Sequence, residues 1–137
     1  YVPEEFYRKT GKGHIQKYDI LIVKDGATTG KCAFVGDDFP FPDAMVNEHT
    51  FILRTTRDLC PKYVFYYLKS PYCAGFFGSA RERGVIGGLT NDFPAKIRLP
   101  IPSYEEQKRI VSRIDRIMAV VNDARKITNQ AIIEVRD

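Results

Sequence analysis

The chain has 137 residues, enough for one domain and too few for two large ones. At 44% hydrophobic and 28% charged residues it has the composition of an ordinary globular protein, which excludes intrinsic disorder, and no run approaches the roughly 18 apolar residues of a membrane span. Its 21 Lys and Arg against 17 Asp and Glu leave a surplus of +4, and the pI of about 9.0 permits nucleic-acid binding without arguing for it.

In chain order, the first strong signal is residues 19–24 (DILIVK), an apolar run rich in β-branched side chains that predicts a buried strand. Residues 25–31 (DGATTGK) must turn, and residues 32–35 (CAFV) resume a strand, which gives a hairpin with a longer loop. Residues 37–43, with Pro40 and Pro42, form an irregular connection. Residues 45–54 alternate in part, through Val46, Phe51, Ile52 and Leu53, and read as a third strand. Pro61 suits the first turn of a helix that runs to Pro71, with Val64, Tyr67 and Leu68 on one face. Residues 72–80 read as a second short helix, residues 81–91 (RERGVIGGLTN) as a Gly-rich basic loop, and residues 96–99 (KIRL) as a short strand ending at Pro100.

The pattern changes at Ser103. Ser103 with Glu106 makes an S-x-x-E capping box, and neither Gly nor Pro follows. Ile110, Ile114, Ile117, Val121, Ala124, Thr128, Ala131 and Val135 are spaced alternately by four and three, the 3.5-residue repeat of a coiled-coil seam. A helix over 103–137 would be about 52 Å long. That is several times the ~13 Å radius of gyration of a compact 100-residue domain. It is therefore expected to project and to pair with another helix; lying across its own domain is the alternative. The expected fold is α+β: a mixed, mostly antiparallel sheet with short helices, followed by one long projecting helix.

The small net charge conceals polarity. Residues 37–50 hold four acidic residues and no Lys or Arg, whereas residues 54–98 hold eight basic and three acidic, a surplus of +5. Such polarity steers a charged partner more than the total does. Cys32, Cys60 and Cys73 are odd in number and widely spaced, which fits thiols in a reducing cytoplasm and not a disulfide framework. A zinc site would need four of the five scattered residues Cys32, Cys60, Cys73, His14 and His49 to converge.

Enzymatic motifs fail on spacing. Gly26 to Lys31 places three residues between its glycines, where a phosphate loop needs four, and a predicted strand follows in place of a helix. Two histidines give too little material for a nucleophile–base triad. The plain reading of the loop is a tight hairpin. A second reading keeps its exposed backbone: small residues flanked by Lys24 and Lys31 let the chain approach a DNA phosphate backbone closely. Lys24, Gly26, Thr28, Thr29 and Lys31 are accordingly candidate DNA contacts. Arg81 and Arg83, suited to bidentate guanine contact, and Asn47 and Asn91, suited to adenine edges, join them. The aromatics of residues 63–77 read as core. No catalytic residue, metal ligand or cofactor site is expected.

Four blocks in order resemble the specificity subunit of type I restriction-modification systems: residues 18–35 (YDILIVKDGATTGKCAFV), 61–71 (PKYVFYYLKSP), 84–102 (GVIGGLTNDFPAKIRLPIP) and 104–115 (YEEQKRIVSRID). Tyr18 stands where that family often has Gly before Asp19. The resemblance implies a DNA target recognition domain over 1–102 and a conserved spacer helix over 103–137. It also implies that the domain begins upstream of Tyr1. The implied role is non-catalytic reading of half of a bipartite site in double-stranded DNA. Implied partners are the methylation and restriction subunits, and the spacer helix of a second half or of a homodimer partner. The competing readings are a coiled-coil protein-interaction module without DNA binding and a small metal-dependent nuclease.

Overall fold

The computed structural model describes residues 3–41, 43–82 and 88–134. The chain divides into two compact units, Tyr1–Ile101 and Pro102–Asp137.

The first unit is built on three strands: β1 (Ile20–Val23), β2 (Cys32–Phe34) and β3 (Thr50–Leu53). They form an antiparallel sheet in the order β2-β1-β3, with Ile20 opposite both Phe34 and Leu53 and Val23 opposite Thr50. The apolar run of β1 takes the central position, where Ile20 and Ile22 are fully buried. Burying one such side chain is worth about 1.5–3 kcal/mol. A short helix, α1 (Glu4–Lys9), precedes the sheet, and two helices cover it, α2 (Pro61–Leu68) and α3 (Pro71–Glu82). Val64 and Leu68 of α2 and Cys73 and Phe77 of α3 close the core on Ile20 and Ile22, with Leu89 and Phe93 completing it. The chain is thus α+β with a small antiparallel sheet, short helices and a long C-terminal helix.

The structure adds one element and changes two readings. Helix α1 forms without an apolar face; Glu4–Arg8 and Glu5–Lys9 pair across one turn, an arrangement hydrophobic periodicity does not report. The third strand is shorter than expected. Met45 makes one isolated bridge with His14, and Asn47 then draws the backbone into a turn by accepting from the His49 and Thr50 amides. The short strand expected over residues 96–99 does not form. Pro94 lies in the first turn of a short helix, α4 (Phe93–Lys96), and the extended segment after it has no strand partner among the described residues. Its carbonyls are satisfied by tyrosine hydroxyls of α2: Tyr67 donates to Arg98 O at 2.5 Å and Tyr63 to Pro100 O at 2.9 Å.

At one end of the sheet lies a buried charge. Asp19, 2% exposed, accepts from Arg54 Nε at 2.8 Å and Nη2 at 3.1 Å and from the Gln16 amide at 2.7 Å. Arg54 Nη2 also donates to His14 O at 2.7 Å, so one ion pair ties the start of β1, the residue after β3 and the segment before β1. Tyr18, beside it, holds φ 71°, the left-handed region that glycine enters freely. Its ring stacks on Phe34 at 6.1 Å between centroids.

The second unit is α5 (Tyr104–Glu134), 31 residues without interruption and about 46 Å long. Ser103 Oγ accepts from the Glu106 amide at 3.3 Å, the Ser103 half of a capping box. The Glu106 carboxylate meets Arg109 at 2.8 Å. No helix among the described residues is long and apolar enough to cross a membrane.

Candidate nucleic-acid interface

Antiparallel pairing sends the β1–β2 loop and the residues entering β3 to the end of the sheet opposite Asp19. The hairpin turns through Gly26 at φ 86° and Gly30 at φ 82°, as its glycines predict. Thr29 is buried and its hydroxyl donates to Gly26 O at 2.7 Å, so it braces the loop. Gly26, Thr28 and Lys31 are exposed.

Lys24 and Asp25 are the hub on which two further loops dock. The Lys24 amide donates to His49 O at 2.8 Å, and the Leu89 amide donates to Lys24 O at 2.7 Å. His49 Nδ1 meets Asp25 Oδ1 at 2.9 Å. Gly88 allows the third approach: a Cβ there would lie 2.6 Å from Lys24 O and 2.8 Å from Asp25 Cβ. The loops 24–31, 47–49 and 88–91 therefore converge. They carry the candidates Lys24, Gly26, Thr28, Thr29, Lys31, Asn47 and Asn91 to one end of the sheet. Asn47 and Asn91 are exposed; α4 takes Asp92 and not Asn91 as its N-cap. Arg81 lies in the last turn of α3, where the backbone alone is described, and Arg83 lies outside the described residues.

Asp25, His49 and Gly88 carry no spacing signal, because 24 residues separate the first two. Asp25 raises the His49 pKa above the ordinary histidine value, first by hydrogen bonding and then by charge, against a smaller opposing effect of desolvation. A raised folded-state pKa means that this contact supports the folded loops fully at pH below the ordinary histidine range. Its support fades as pH rises past the folded value.

Between the hairpin and the two helices lies a cleft of about 370 Å³, lined in part by Lys31, Cys32, Lys69 and Phe77. Burial pushes the Cys32 thiol up to about 11, and the thiol donates to Gly30 O at 3.3 Å. It therefore stays protonated near neutral pH and is no nucleophile there. Among the described residues no cluster of His, Cys, Asp and Glu could hold a metal ion.

On α5 the seam residues Ile110, Ile114, Ile117, Val121, Ala124, Thr128 and Ala131 share a face; Val135 lies outside the described residues. Thr128 Oγ1 donates back to Ala124 O at 2.9 Å, so its hydroxyl is satisfied within the helix. Val120 and Ile127, which flank the seam, are 69% and 67% exposed, so the apolar face is wider than the seam alone.

The first unit is thus a small sheet that gathers three loops at one end, and a long helix with an apolar stripe follows it in the chain. The family model of the type I restriction modification DNA specificity domain matches residues 2–135, and the chain belongs to that family. It is also 30% identical over 128 residues to S.HindORF215P of Haemophilus influenzae, which bears the name of a type I restriction enzyme specificity subunit. That alignment covers 89% of this chain and 30% of the relative, so the chain spans under a third of the relative's length.

Proposed function

We propose that this chain is a DNA-reading piece of a type I restriction-modification specificity subunit. Residues 1–102 act as the target recognition domain and 103–137 as the spacer helix. The observation that carries the reading is the convergence of loops 24–31, 47–49 and 88–91 on Lys24 and Asp25 in a chain of the specificity-domain family. Lysines of this cluster sit on phosphates and the exposed asparagines reach base edges, reading half of a bipartite site in double-stranded DNA. The chain performs no chemistry itself. The methylation subunit docks on it and supplies methyl transfer, and the restriction subunit supplies cleavage, both in the cytoplasm.

Replacing Lys24 and Lys31 together with Ala is expected to weaken duplex binding about tenfold at moderate salt. The slope of log affinity against log salt should become shallower by about 0.9 for each phosphate that is no longer neutralised. Fluorescence anisotropy across a salt series measures both. Unchanged affinity and slope would remove the hairpin from the interface.

The wide apolar face of α5 supports the pairing role of the spacer helix, with its counterpart in the second half of the subunit or in a homodimer partner. The full chain is expected to self-associate in sedimentation velocity, and the double variant Ile117→Asp, Val121→Asp to run as a monomer. A wild-type monomer at high concentration would count against pairing. Self-association without any salt-dependent DNA binding would favour the protein-interaction module.

A further inference from the structure

We propose that His49, positioned by Asp25, is a phosphate-binding residue of the loop cluster and makes DNA affinity depend on pH. The inference rests on the DNA-binding reading above and names a contact and a regulation within it.

Geometry gives the ring a fixed role. With Nδ1 at 2.9 Å from a carboxylate oxygen, that nitrogen must carry a hydrogen and donate to Asp25. The remaining nitrogen, Nε2, is 3.8 Å from Glu48 Oε1, beyond ordinary hydrogen-bond length, and belongs to an exposed side chain. In the neutral ring Nε2 can only accept. In the protonated ring it donates, and a phosphate oxygen can use it.

Charge makes the difference large locally. The groups facing His49 are Asp25 and Lys24 from the hairpin and Glu48 from its own turn. Among the described residues of the three loops the charged side chains are Lys24, Lys31, Asp25 and Glu48, which cancel when His49 is neutral. Protonation of His49 turns a balanced cluster into a positive one facing a polyanion. Asp25 favours that protonated form, which brings the transition toward physiological pH. DNA bound at Nε2 favours it further.

The test is anisotropy of a labelled random-sequence duplex with the full chain, titrated between about pH 6 and about pH 8 at constant ionic strength. The wild type is expected to bind about fivefold more tightly at the acid end, the worth of one phosphate contact at physiological salt. His49→Gln, which keeps a donor toward Asp25 but cannot ionise, is expected to bind with the weak affinity at every pH. Asp25→Asn is expected to shift the midpoint of the profile to lower pH, a change that a purely structural role would not produce. His14→Gln, which alters the other histidine, should leave the profile in place. Binding that is equally strong at every pH, or a profile retained in His49→Gln, would overturn the inference and leave the DNA-binding reading standing. Absence of duplex binding at every pH and salt concentration would overturn both.

Discussion

Asp19→Ala is expected to lower the unfolding free energy by about 3 kcal/mol, with the denaturant midpoint falling and the slope unchanged. The carboxylate is buried and holds three donors, two of them from one guanidinium in bidentate geometry. Removing it strips the ion pair and leaves the Gln16 amide without its acceptor. The Arg54 side chain is half exposed, so water rehydrates part of it and the loss stays below the upper end for a fully buried pair. Asp19→Asn keeps the shape and one acceptor oxygen and is expected to cost about 2 kcal/mol. Urea unfolding followed by far-UV circular dichroism measures both. A loss under about 0.5 kcal/mol for the alanine variant would mean that the pair contributes no more than an ordinary surface contact.

Gly30→Ala is expected to cost about 3–4 kcal/mol, from two separable sources. Backbone at φ 82° is left-handed, where a Cβ costs roughly 1–2 kcal/mol. The new methyl would also lie 2.4 Å from Cγ and 2.5 Å from Cβ of Phe77, a core ring packed against Phe76 and Phe93. Something must move, and overpacking of this kind costs about 1–3 kcal/mol. Trimming Phe77 to Ala removes Cγ and the ring and leaves only Cβ of that side chain near the new methyl. In that background Gly30→Ala should cost less than in the wild type but more than the backbone strain of about 1–2 kcal/mol, and a double-mutant cycle reads the difference as coupling. Additive losses would show that the ring is not what resists the methyl. The same substitution displaces Lys31, so duplex affinity should fall with stability in this variant alone of the two.

Much of this architecture is local and legible. The β-branched run of residues 20–23 makes the central strand because only a buried position suits four consecutive apolar side chains. Pro61 marks the start of α2, and Ser103 with Glu106 marks the start of the long helix, because proline geometry and capping act within one turn. The strand expected over residues 96–99 is absent for a non-local reason: a strand needs a neighbour, and tyrosine hydroxyls from α2 take the carbonyls of Arg98 and, just beyond the segment, Pro100 instead. Helix α1 escapes the hydrophobic pattern because its stabilising pairs are charges across one turn and not an apolar stripe.

The candidate contacts divide in the same way. Lys24, Gly26, Thr28, Thr29 and Lys31 are neighbours in sequence, so composition alone singles out their loop. Asn47 and Asn91 stand out for side-chain chemistry, and nothing in their positions tells that both loops meet the hairpin. The sequence by itself determined the central hairpin, α2, the long helix, the family and the chemical character of each loop, because propensity, capping and motif order are carried by residues close in the chain. Only the tertiary structure decided that Asp25 holds His49, that Gly88 lets a third loop reach Lys24, and that Asp19 locks the opposite end of the sheet. Those contacts join residues 24 to 64 positions apart, so they arise from strand pairing and from the packing of the 88–91 loop on the hairpin and not from any short stretch of sequence.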